Sequence, residues 1–301
     1  HICYVLFLNI NAESHGMDAL LLAAWFGNLN ILKMLVEKGS DRKSTNQEGM
    51  NMLHCAAQNN HSLIVEYIIK DLQLDLNKPI EVFSSQLHCS CWQEGNTALH
   101  LAARNGHSTM VEVLLSDWKQ VDEKNEVSST VAVLRSKICV FMLFFPSNIL
   151  SLQQGKTPLG VAARGNHIII VDMIIKAERY FAWKEVSLVK AFYPLSFKPD
   201  RTTQTNQLRT AMWNLANHHL KPKDWKKLAF HWNFTEEQIK AIGEQWTGTK
   251  SYKEHGHRTL LIWLHGILLT GTNPVKGLYE ALISIEQKLL KALHRKYCKV
   301  N

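Results

Sequence analysis

One short pattern recurs four times in the first 180 residues of this chain, and a repeat constrains a fold more than any other sequence feature. It opens at Gly16 (GMDALLLAAWFGNLNILKMLVEKG), Gly49 (GMNMLHCAAQNNHSLIVEYIIK), Gly95 (GNTALHLAARNGHSTMVEVLL) and Gly155 (GKTPLGVAARGNHIIIVDMII). Each opening glycine suits a turn with positive φ. Two residues on stand Asp18, Asn51, Thr97 and Thr157, side chains that cap a helix N-terminus. In the fourth copy Pro158 follows the cap, at the first helical position. Paired alanines come next (23/24, 56/57, 102/103, 162/163) and are small enough for helices to approach closely. Gly27, Asn60, Gly106 and Asn166 then share one position. Gly and Asn enter the left-handed region at least cost, so this position ends the first helix. A second helix is predicted from Ile31/Leu32/Leu35, Ile64/Val65/Ile68, Met110/Val111/Leu114 and Ile170/Val171/Ile174.

A turn followed by two antiparallel helices, with Thr97-Ala-Leu-His100 and Asn105-Gly-His107, resembles the ankyrin repeat over residues 11–180. The resemblance implies an all-α solenoid of about four helix-turn-helix repeats, near 11–43, 44–77, 94–122 and 153–180. In such an array each repeat buries its face on its neighbours. His54 and His100 could suggest a metal or catalytic pair, but at this position they are expected to bond loop backbone. Gly16 and Gly49 are 33 residues apart, Gly49 and Gly95 46, and Gly95 and Gly155 60. The extra residues fall near 82–93 and 127–154. Both stretches open at a Glu-Val step and close on Gln, and a third Glu-Val step stands at Glu185-Val186. Such edges match splice donor and acceptor codons, so the stretches are expected to be non-structural exon edges; the rival expectation is functional insertions on one face.

Beyond a 181–203 linker the helical period continues without the repeat. Leu208, Met212, Leu215 and Ala216 mark one helix, and Trp225, Leu228, Ala229 and Trp232 a second opened by Pro222. Thr235-Glu-Glu-Gln238 is a capping box opening a third, with Ile239, Ile242 and Trp246 inward. Leu260, Leu261, Leu264 and Leu268 make a fourth, and Asn273-Pro274 opens a fifth with Leu278, Leu282 and Ile285. Leu289, Leu290 and Leu293 suggest a sixth, giving a compact six-helix bundle over 204–295 and a basic tail at 296–301.

Asp224-Trp-Lys-Lys-Leu-Ala229, Phe234-Thr-Glu-Glu-Gln-Ile239, Leu260-Leu-Ile-Trp263 and Leu278-Tyr-Glu-Ala-Leu282, in that order, resemble a death domain. Set behind ankyrin repeats, the chain resembles the ankyrin-repeat and death-domain-containing protein family. That resemblance implies a non-catalytic module assembling through oppositely charged faces. Lys221, Lys223, Lys226 and Lys227 offer one such face, and Glu236, Glu237 and Glu244 the other. Unlike patches on separate surfaces allow head-to-tail association. In the repeats, Arg42, Lys43, Asn46 and Gln47 precede Gly49 in the loop that ankyrin arrays present to partners, and are the expected client contacts.

Charge separates the two halves. Residues 206–301 carry 15 Lys+Arg against 7 Asp+Glu and so hold the whole formal charge of +8, while the remainder nets to zero. An anionic partner would therefore be sought at the C-terminal body. No phosphate loop, nucleophile elbow or HExxH is present, so no enzyme, cofactor or metal is expected. The six cysteines have neither CxxC nor framework spacing, as in a reducing compartment. No apolar run reaches membrane-spanning length, and a start at His1 suggests a fragment. The expected function is a cytoplasmic adaptor or scaffold in signal transduction, with a nuclear location left open. Its repeats would bind a protein client, and its bundle death-fold proteins or itself. Two alternatives stand beside it: nucleic-acid contact by the basic bundle, opposed by the spread of its basic residues over several helices, or client docking with a bundle that does not assemble.

Overall fold

The computed structural model describes residues 16–78, 80, 96–124, 157–186, 195–198, 200–246 and 248–297. The two expected insertions, 82–93 and 127–154, lie outside the described residues. So do Cys3, Cys89, Cys91, Cys139 and Cys298. The described residues form helices, turns and loops without a strand. They divide into two units, His1–Val161 and Ala162–Asn301.

In the first unit three helix pairs follow the repeat. They are α1 (Ala19–Trp25) with α2 (Leu29–Glu37), α3 (Met52–Gln58) with α4 (Ser62–Tyr67), and α5 (Ala98–Asn105) with α6 (Ser108–Lys124). A wide helical turn, Ile68–Leu72, extends α4. The capping residues act as expected: Asp18 Oδ1 accepts the Leu21 N–H at 2.8 Å, and Asn51 Oδ1 accepts that of His54 at 3.0 Å. Helices this short do not persist alone in water; stacking holds them. α1 packs on α3 and α3 on α5. Ala24, Ala56, Ala57, Ala102 and Ala103 lie at those contacts with no exposed surface, so the backbones come close.

The shared turn position is left-handed in every copy: Gly27 φ 79°, Asn60 φ 62°, Gly106 φ 78° and Asn166 φ 55°. At Gly27 a second constraint acts, because an added Cβ would strike the His61 ring. That ring closes the preceding helix, since His61 Nε2–H donates to the Trp25 carbonyl at 2.8 Å. His107 does the same one repeat later, donating to the Gln58 carbonyl at 3.0 Å beside Asn105 Nδ2, also at 3.0 Å. Trp25 and Gln58 end their helices, whose last carbonyls have no partner within the helix. The second and third repeats therefore each cap the one before. Gly106→Ala is expected to lower stability by about 1 kcal/mol, as left-handed backbone demands of an L side chain, and Gly106→Asn by only a few tenths. The urea midpoint of the full chain measures both.

The second unit holds α8 (Ile168–Val186), the end of α7 (Pro158–Arg164), and five later helices. These are α9 (Thr203–Asn214, extended by a wide turn Leu215–His219), α10 (Asp224–His231), α11 (Glu236–Glu244), α12 (Ser251–Leu269) and α13 (Pro274–Tyr297). Trp225, Leu228, Ile242, Leu260, Trp263 and Ala281 form the core at 2% exposure or less. Trp232 stacks on Trp263 with ring centroids 4.3 Å apart. The Thr235 capping box forms, with Thr235 Oγ1 accepting the Gln238 N–H and Gln238 Oε1 accepting the Thr235 N–H, both at 3.2 Å. Asn273 Oδ1 accepts the Val275 N–H at 2.9 Å, and Pro274 is the first residue of α13.

Three expectations need correction here. The six-helix count fails: the fifth and sixth helices are one continuous α13, because Glu286-Gln-Lys288 offers no Gly, Pro or capping residue to break it. The 181–203 linker does not begin at 181, since α8 runs to Val186 and packs on α11 and α12. Its Trp183 ring lies where a Cβ on Gly266 of α12 would be, so only glycine permits that approach. Trp246 points outward: α11 stops at Glu244, and Trp246 is 50% exposed with φ 64°.

Candidate interaction surfaces

The loop between α2 and α3 is a tight hairpin. The Asn46 N–H donates to the Met50 carbonyl and the Gly49 N–H to the Asn46 carbonyl, both at 3.0 Å. Arg42, Lys43 and Gln47 are exposed on it, as a contact surface requires. Asn46 is not, and its expected client role is corrected. At 7% exposure its Oδ1 accepts the Glu48 and Met50 N–H groups at 3.0 and 2.8 Å, shaping the turn instead.

Behind the hairpin, His54 and His100 bond loop backbone. His54 Nδ1 accepts the Asn51 N–H at 3.2 Å, and its Nε2–H donates to the Lys78 carbonyl at 2.9 Å. Burial holds this ring's pKa down at about 4, so it stays neutral. His100 Nδ1 accepts the Thr97 N–H at 3.2 Å. The neighbouring Cys55 thiol is fully buried, and burial first, then the negative charges of Asp18 and Glu48, raises its pKa to about 12. Such a thiol is inert.

The repeats also expose apolar side chains that the periodicity did not mark. Phe26 is 74% exposed and Leu63 67%. A signal was present: Phe26 takes the position filled by Asn59 and Asn105 in later copies, and Leu63 that of Asn30 and Thr109. The fourth copy also carries an apolar residue at the Leu63 position, Ile169, 68% exposed. Exposed apolar side chains therefore recur there, while Phe26 is apolar where the other copies carry Asn or Gly.

On the second unit the charged residues divide by helix. Lys221, Lys223 and Lys226 are exposed at and before the start of α10. Lys227 is bound to Asp224 at 2.8 Å and is less available. Glu236 and Glu237 are exposed in the first turn of α11, where the helix dipole favours them. Glu244 at its far end faces Lys240 at 3.7 Å. A hollow of about 240 Å³ opens beside Lys226, lined also by Trp225, Tyr252 and His255. Another of about 720 Å³ lies between Ala163, Arg164, Asn166, Ile168, Glu244 and Trp246. Among the described residues no group of three or more His, Cys, Asp or Glu could hold a metal, and no helix is long and apolar enough to cross a membrane.

Comparison with known proteins agrees with the repeat geometry. A model of ankyrin repeats (3 copies) matches residues 2–80, 20–129 and 76–182, more than half of the chain, and ends before α9. A stretch of 52 residues is 50% identical to the eye-specific diacylglycerol kinase of Drosophila melanogaster, covering 17% of this chain and 4% of that protein. Over 62 residues the chain is 40% identical to Notch-regulated ankyrin repeat-containing protein A of Danio rerio, covering 20% of this chain and 55% of that protein. The human Notch-regulated ankyrin repeat-containing protein is 39% identical over 62 residues, 20% of this chain and 54% of that protein. The chain thus spans about half or less of the curated relatives it matches. Ankyrin repeats are protein-interaction modules and typically non-enzymatic. The stacked pairs, the left-handed turns and the cross-repeat histidines say the same as the matched residues: the chain belongs to the ankyrin-repeat family.

Proposed function

We propose that this protein is a non-enzymatic cytoplasmic adaptor in signal transduction. Its repeats hold a protein client, and its C-terminal bundle, similar to a death domain, engages a death-fold partner or a second copy of itself. The observation that carries this reading is the separation of charge in the bundle. Lys221, Lys223 and Lys226 are exposed at one helix, and Glu236 and Glu237 at the next. Faces of opposite sign on different surfaces suit head-to-tail pairing, which sets register and rate more than affinity. The exposed hairpin residues Arg42, Lys43 and Gln47 are the client contacts in this reading.

Charge reversal tests it on the full chain. One variant carries Lys221→Glu, Lys223→Glu and Lys226→Glu; another carries Glu236→Lys and Glu237→Lys. Each alone loses self-association or capture of death-fold proteins, and mixing the two restores a pair at low salt. Wild-type protein that stays monomeric by light scattering and retains no death-fold partner from nuclease-treated lysate removes the proposal. Retention that disappears with nuclease or with modest salt favours nucleic-acid contact instead.

A further inference from the structure

In the second unit, cationic side chains from three helices converge with too few acceptors. α8 presents Asp172 and Lys176 four residues apart, hence on one face. α12 brings His257, Arg258 and His265, and α9 brings Arg209. Asp172 Oδ1 takes both bonds that Arg258 makes to it, from Nε at 3.1 Å and Nη2 at 2.6 Å. Arg258 is 6% exposed, yet its Nη1 has no acceptor, and the buried Nε of Arg209 has none either. Lys176 lies within the field of both guanidiniums; burial first, and then these two charges, lower its pKa, while Asp172 acts the other way.

Among the described residues the nearby carboxylates make no hydrogen bond to these two nitrogens, although Asp200 lies within the field of Arg209. Asp200 is engaged by the Thr205 and Thr202 hydroxyls at 2.6 and 3.1 Å. His265 donates Nε2–H to the Ser196 carbonyl at 2.7 Å, and burial holds both His257 and His265 below the usual imidazole range. Buried guanidinium N–H groups without acceptors are costly. Arg258 Nη1 and Arg209 Nε, with a lysine beside them, are charged donors of the kind that bind the oxygens of a tetrahedral anion.

We propose that the junction of α8, α9 and α12 binds a phosphate or diphosphate group, held by Arg258 Nη1, Arg209 and Lys176. A small soluble phosphate and a phosphorylated lipid headgroup share this chemistry.

Inorganic pyrophosphate is the probe, titrated into the full chain at constant ionic strength and followed by calorimetry and thermal unfolding. Saturable binding that raises the melting temperature is expected. Arg209→Gln and Lys176→Gln each weaken it about tenfold, the worth of one charge-assisted hydrogen bond. Both variants leave the melting temperature without pyrophosphate unchanged or higher, because each relieves like-charge crowding. A merely structural arginine or lysine would lower it. Phosphatidylcholine vesicles bearing phosphatidylinositol phosphate distinguish the sources: retention on vesicles lost in both variants, without binding in solution, supports the lipid headgroup. Neither binding nor vesicle retention, or pyrophosphate binding unaffected by both substitutions, overturns the proposal.

Discussion

Asp172→Ala is expected to destabilise the C-terminal unit by about 2–3 kcal/mol, below the range for a fully buried ion pair because the Asp172 side chain is 25% exposed. The aspartate is the direct acceptor for Arg258, whose side chain is 8% exposed at a 2.6 Å contact. Without it Arg258 is left buried and uncompensated, with Lys176 and Arg209 nearby. Replacing both partners by apolar residues of similar volume, Asp172→Leu with Arg258→Met, removes the stranded charge. Most of the loss should then be recovered. Urea unfolding at pH 7.5 reads both variants. A loss below about 1 kcal/mol for Asp172→Ala would place the pair among solvated surface bridges.

The second large effect is acid sensitivity in the first unit. The His54 ring is 1% exposed, and burial depresses its pKa from 6.5 to about 4. Between those values the unfolded chain binds a proton that the folded chain refuses. Stability is therefore complete above about pH 6.5 and falls as pH drops toward 4. The loss from this ring alone is about 2 kcal/mol at pH 5. Burial lowers His265 to about 4 as well, so the second unit weakens in the same direction. Proton NMR of the His54 ring, with amide exchange in α3 and α5 at pH 7.5 and 5, measures the effect. A ring titrating near 6.5 with unchanged exchange would show that burial does not control it.

Much of the repeat architecture was legible in the residues, because its determinants act over a few positions. Gly27, Asn60, Gly106 and Asn166 adopt the left-handed turn that their types permit. Asp18, Asn51 and the Thr235 box cap the helices that follow them. Exposure at Arg42, Lys43 and Gln47 follows from a polar hairpin. The role of Asn46 was not legible because Asn serves equally in an exposed tip and as an internal brace, and only its bonds to Glu48 and Met50 decide. The outward direction of Trp246 was not legible because helical spacing from Ile239 and Ile242 holds only while the helix continues, and it ends first.

The sequence by itself determined the helix pairs, their caps and the left-handed turns, since backbone preference and short-range hydrogen bonding set them. Tertiary structure alone decided that α8 packs with the bundle, that α13 runs unbroken, and which charged side chains are accepted. These outcomes depend on residues far apart in the chain, as Asp172 is from Arg258 and Trp183 from Gly266. No local period encodes such meetings. They arise when packing brings distant surfaces together and burial fixes the cost of every donor left unpaired.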